Sequence, residues 1–172
     1  MCVRTLGREV VTFSGALAGG LVGTVVLTSA LGIAQAAGLT RMDLPLLLGT
    51  IFTSDRRNAS VLGYAIHFGN GLVFASLYGI VFVAVDTAGW LFGAALGFVH
   101  ALFAGGALIN ILLPAVHPRM GTVYSDAAET PILEPPGFML RNYGPYSGVA
   151  NVLAHIAYGA IVGGFAGSFD LY

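Results

Sequence analysis

The 172-residue sequence has no lysine, and only 9% of its residues are charged, against about 25% in an ordinary soluble domain. A chain this short, with 56% hydrophobic residues, carries more apolar surface than one aqueous core can hide. The solvent for most of it is therefore lipid. A net charge of −1 provides no basic field, which argues against a nucleic-acid partner. The single cysteine, Cys2, cannot form an internal disulfide and gives no compartment signal. Also missing are a glycine-rich nucleotide loop, a serine nucleophile elbow and an HExxH metalloprotease pattern. The leading reading is accordingly non-enzymatic.

What is present is length without charge. A spanning helix needs about 20 mostly apolar residues. Four segments qualify, at about 10–37, 60–85, 89–114 and 149–168, and all seven basic and eight acidic residues fall outside them. That partition follows from the cost of a charge at the bilayer centre. The expected fold is all-α: one domain over residues 1–172, a transmembrane four-helix bundle. Asp86 and Gly89 mark a tight turn that makes spans two and three an antiparallel hairpin. Loop one (38–59) holds the apolar stretch MDLPLLLGTIF, where Asp43 suits an N-cap and Pro45 a first helical turn. It reads as a short interfacial or re-entrant helix. Loop three (115–148) is polar, with HPRMG at its start and EPPGF in its middle.

At the N-terminus, Arg4 and Arg8 precede the first apolar stretch, and Ala34-Gln35-Ala36 resembles a signal-peptidase site. The stretch is long and rich in small residues, which favours an uncleaved helix. Arg41, Arg56, Arg57, Arg119 and Arg141 share the side of loops one and three, with only Arg4 and Arg8 opposite. This places loops one and three in the cytoplasm of a multi-pass protein.

Glycine supplies the packing. Gly15, Gly19 and Gly23 lie four apart on span one, Gly93 and Gly97 on span three, and Gly159, Gly163 and Gly167 on span four. Span two carries Gly63, Gly71, Ala75 and Gly79 on one stripe. Small residues at this spacing let helices approach closely in lipid. The same faces could serve self-association into a homo-oligomer or attachment to a larger membrane complex. Each half of the chain also joins a glycine-rich span to one with a histidine and a later Tyr-Gly pair, a faint parallel repeat.

Three histidines sit within the spans. At a rise of 1.5 Å per residue, His67 and His155 lie roughly 10 Å from the side of loops one and three, and His100 about 10 Å deeper still. Asn70 shares a helix face with His67, and Asn151 with His155. Asn110, Tyr78 and Tyr158 complete a polar cluster, with His117 and Arg119 at its mouth, where they could grip an anion or a lipid headgroup. The bland reading is a set of interhelical hydrogen bonds, each worth about 0.6 kcal/mol. Three functional readings compete with it. His67 and His155 could be axial ligands of a haem. His67, His100 and His155 could bind a transition metal such as copper or zinc. The cluster could also line a path for protons or a small solute. Asp126, Glu129 and Glu134 read as solvated loop acids, and Asn58-Ala59-Ser60 as a glycosylation match without meaning at a membrane edge.

The ordered motifs DLPLLLGTIF, HFGNGLVFASLYG, FGAALGFVHALFAGG, HPRMG, PPGFM and HIAYGAIVGG resemble a family of small bacterial four-span membrane proteins with no established activity. The resemblance covers nearly the whole chain. It implies a bacterial inner-membrane location and a pattern behind the histidine, Tyr-Gly and His-Pro positions, but no substrate.

Overall fold

A computed structural model of the protein describes residues 11–121 and 133–167. Cys2, Arg4, Arg8, Asp126 and Glu129 lie outside them. The described residues are helical, with no β-strand among them. Four helices are long and apolar enough to cross a membrane: α1 (Phe13–Ala36), α3 (Arg56–Val85), α4 (Trp90–Val116) and α5 (Ser147–Gly167). A short helix, α2 (Leu44–Gly49), occupies loop one where it is expected.

Local chemistry sets the boundaries. Beyond α1 the chain turns at Gly38, in the left-handed region at φ +73°, and Leu39 N–H reaches back to the Ala34 carbonyl at 2.9 Å. Asp43 caps α2 by accepting from Leu46 N–H at 3.0 Å, with Pro45 in the first turn. Asp55 caps α3 by accepting from Asn58 N–H at 2.8 Å, so this helix starts four residues earlier than the apolar run suggests. Asp86 ends it with φ +50°, a conformation a short polar side chain tolerates.

The third span departs most from expectation. Pro114 does not stop α4, which continues to Val116 through a π-helical stretch at Ala104–Leu112. A proline ring crowds the carbonyl four residues back in an α-helix. Wider π winding before Pro114 relieves that conflict. The Phe138–Tyr143 turn then lies against the π stretch, with Met139 beside Gly105 and Phe138 beside Gly106.

The helices stand in the order α3, α1, α5, α4, with α2 folded onto α3. Small residues close three of the four seams between spanning helices, and one more holds α2 on α3. Gly93 and Gly97 of α4 lie against the Gly159 and His155 carbonyls of α5, and Gly89 N–H donates to the Gly163 carbonyl at 3.0 Å. Gly15, Gly19 and Gly23 receive Phe165, Val162 and Tyr158 of α5. Gly20 meets Ala75 of α3, and Gly63 meets the Pro45 carbonyl of α2. The expected α3–α4 hairpin does reverse at 86–89, but its two backbones stay apart and only long side chains bridge them. Phe74 stacks on His100 with ring centres 3.8 Å apart, and Phe82 meets Phe92 at 5.6 Å. Loops one and three join at one end of the bundle, through Arg41 N–H to the Tyr143 carbonyl (2.7 Å) and the Thr40–Ser147 hydroxyl pair (2.7 Å).

Candidate functional site

The seam that glycine does not close holds the histidines. Gly97 packs on the His155 carbonyl, which brings His100, one turn along α4, beside His155. Their ring centres are 4.6 Å apart and nearly perpendicular. The expectation that His100 lies about 10 Å deeper is therefore wrong. Counting inward from loop three assumes that the spans end level. They do not, because α4 runs on past the start of α5 while the Phe138–Tyr143 turn lies alongside it. His67 joins the same layer from α3, bonded to Thr28 of α1 at 3.0 Å. Tyr78 O–H pairs with His100 Nδ1 at 3.2 Å, and its ring lies 5.8 Å from that of Tyr158.

These residues line a cavity of about 210 Å³ between α3 and α4. Thr24 and Leu27 of α1 form its back wall. Leu44 and Leu48 of α2 cover the end nearest the loops, and Ala104, Leu108 and Leu112 of α4 flank it. His67, Phe74, His100, His155 and Tyr158 also line it, with Asn70 on an exposed rim. Below the histidines the bundle is filled by aromatic rings: Tyr78 and Phe82 lie 6.1 Å apart, and Phe82 is fully buried. Tyr158 is the strut of the site. Its hydroxyl donates to the Gly71 carbonyl at 2.5 Å, linking α5 to α3, and Gly23 makes room for its ring.

Proton accounting fixes two of the rings. His155 Nδ1 lies 2.8 Å from the Asn151 carbonyl, which can only accept, so Nδ1 carries the hydrogen and Nε2 of the neutral ring carries a lone pair. Thr28 spends its only hydroxyl proton on the Thr24 carbonyl at 2.6 Å. It must therefore accept from His67 Nε2, which leaves the lone pair of His67 on Nδ1. Neither of these lone pairs has a protein partner. Neither is sealed, because the one sealed, unpartnered side-chain atom among the described residues is Asn151 Oδ1. Both belong to residues that line the cavity.

The remaining predicted residues separate from this cluster. Asn151 is fully buried beneath it and donates to the Ala101 carbonyl at 3.1 Å, next to the π stretch. Asn110 bonds only weakly to its own helix, at Gly106, and does not line the cavity. His117 and Arg119 form a clasp at the loop end. Arg119 N–H donates to His117 Nδ1 at 3.1 Å, so His117 Nε2 donates to the Leu47 carbonyl at 3.2 Å. The Arg119 guanidinium donates to the Thr50 carbonyl at 2.6 Å, just past the end of α2. HPRMG thus ties α4 to α2. Burial holds the His117 imidazole below its usual pKa; the Leu47 bond opposes this and the Arg119 charge adds to it.

The cofactor readings fit poorly. Among the described residues no three His, Cys, Asp or Glu side chains are grouped to hold a metal ion, so His67, His100 and His155 lack the convergence that a copper or zinc site needs. Haem ligation by His67 and His155 meets two obstacles. His67 has committed Nε2 to Thr28 and keeps only Nδ1 for a ligand, and the cavity is smaller than the roughly 300 Å³ where pockets for drug-sized ligands begin. Sequence reasoning missed Thr24, Thr28 and Phe74. The Thr24/Thr28 pair, four apart in an apolar span, was the available signal. No protein-family model matches the chain, and no curated protein or solved structure shows significant similarity to it.

Proposed function

We propose that this protein is a non-enzymatic accessory bundle of the bacterial inner membrane that holds a small apolar molecule between α3 and α4. The observation that carries the reading is the cavity of about 210 Å³ at the one seam that no glycine closes. Tight helix contact is the normal outcome in a chain with so many small residues. Here Phe74, His100 and Leu108 hold the seam open instead. An engineered cavity of about 150 Å³ is enough to take benzene. The resemblance to small bacterial four-span proteins supports the location, and the arginine asymmetry supports cytoplasmic loops one and three. The aromatic fill below the histidines disfavours a proton or solute conduit.

The test is calorimetric titration of the protein in nanodiscs with toluene, with empty nanodiscs subtracting partition into lipid. Saturable one-to-one binding that disappears in Ala104→Phe, which fills the cavity, supports the reading. Uptake of neither toluene nor phenol above that of empty nanodiscs overturns it. A reduced-minus-oxidised absorption spectrum of the same sample tests the rival haem reading, for which a stoichiometric pigment lost in His67→Ala is the required result.

A further inference from the structure

The hydrogen-bond polarity of the cavity specifies its ligand more closely. We infer that the site selects a single-ring, hydroxyl-bearing amphiphile of the phenol or hydroquinone type, admitted sideways between α3 and α4, whose hydroxyl donates to His155 Nε2. This inference rests on the proposed binding role.

Size comes first. The cavity of about 210 Å³ exceeds by a modest margin the roughly 150 Å³ that accommodates benzene, which suits one substituted ring. Its walls supply Phe74, Leu108 and Leu112 as ring contacts.

Polarity comes second. The Asn151 carbonyl fixes the tautomer of His155, and the spent proton of Thr28 fixes that of His67. In neutral rings both remaining nitrogens are acceptors, on residues that line the void. A purely apolar ligand leaves them unpaired. A ligand with only a carbonyl or an ether oxygen leaves these two acceptors unpaired as well. A hydroxyl donates to one of them, and a hydroquinone carries a second hydroxyl for the other. The hydroxyl oxygen remains free to accept from the Asn70 amide at the rim.

Access comes third. α2 covers the loop end with Leu44 and Leu48, α1 closes the back, and the aromatic layer closes the floor. The remaining side is the gap between the α3 and α4 backbones, where Asn70 is exposed. A molecule dissolved in the bilayer meets this gap directly.

The test extends the nanodisc titration to phenol, anisole and toluene, three rings of similar size that differ in hydrogen-bonding character. Phenol is expected to bind at least about tenfold more tightly than either of the others, because only it satisfies a buried acceptor. In His155→Phe, which keeps a ring but removes the lone pair, the preference should fall to within about threefold. If that variant does not fold, the wild-type ranking decides alone. Equal binding of all three rings, or anisole ahead of phenol, overturns the hydroxyl inference and leaves the cavity reading intact. No binding of any ring removes both.

Discussion

The α4–α5 seam and the α3–α4 seam share a helix and differ in almost everything else. Across the first, Gly93, Gly97, Gly159 and Gly163 put backbone against backbone. Across the second, Phe74 reaches His100 and Phe82 reaches Phe92 over a gap that the backbones never close. The contrast shows how a bilayer protein makes a cavity. In lipid there is little hydrophobic drive to collapse empty space, so the side chains at the interface decide the helix separation. Here small residues close three seams and rings hold one open.

The largest effect should come from putting a side chain into the closed seam. A Cβ at Gly97 would overlap the His155 carbonyl. Gly97→Leu is therefore expected to cost about 3 kcal/mol or more, read as a lower midpoint in SDS titration of the folded protein in bicelles. Gly69→Ala, with nothing within 4 Å of the added atom, should stay within about 0.5 kcal/mol of wild type. If both glycines tolerate substitution alike, contact at the closed seam is not what holds the bundle.

The two seams were not equally legible in the sequence. The closed one was readable because Gly93/Gly97 and Gly159/Gly163 recur at four-residue spacing, a local pattern with one physical meaning. The four spans were readable because charge cannot sit within them. The open seam was not. Its hairpin turn at Asp86–Gly89 predicts neighbours and says nothing of their separation. The π stretch at Ala104–Leu112 has no signature beyond Pro114, which read as a helix end. Without it the depth count for His100 fails, because the count assumes α-helical spans that end level. Tautomers cannot be read from sequence at all, since each depends on a carbonyl or hydroxyl brought in by the fold.

An intermediate effect is expected at the clasp, which fixes the α2 cover over the open seam. Arg119→Ala removes the donor to the Thr50 carbonyl and should cost about 1 kcal/mol, less than a fully buried charged bond because Arg119 is partly solvated. His117 adds a pH dependence with a definite sign. Its folded pKa lies below its unfolded value, so the unfolded chain takes up the proton first as pH falls. The contribution is full above about pH 6.5 and drains as pH drops toward the folded value. Unfolding midpoints measured from pH 7.5 to 5 should fall less steeply in His117→Gln than in wild type. Equal slopes would remove the clasp from the pH response.

A smaller loss is expected at the strut. Tyr158→Phe keeps the ring in the Gly23 recess and removes only the bond to the Gly71 carbonyl. Interhelical hydrogen bonds in bilayers average about 0.6 kcal/mol and reach about 1.7. A loss near that average of about 0.6 kcal/mol is expected here. A loss above 3 kcal/mol would mean that the hydroxyl organises the whole histidine layer.

A small effect on stability should also come from the change that most resembles Gly97→Leu on paper. Ala104→Phe also adds a bulky side chain to α4, but Ala104 lines the cavity, where space already exists. The ring gains contacts with Leu108 and Phe74 while losing rotamer freedom, and the change should stay within about 1 kcal/mol of wild type. The pair therefore isolates the seam from the substitution, with one helix, a similar added volume and opposite outcomes. If Ala104→Phe destabilises as strongly as Gly97→Leu, the void is not available to a ring, and the contrast between the two seams fails along with the binding site.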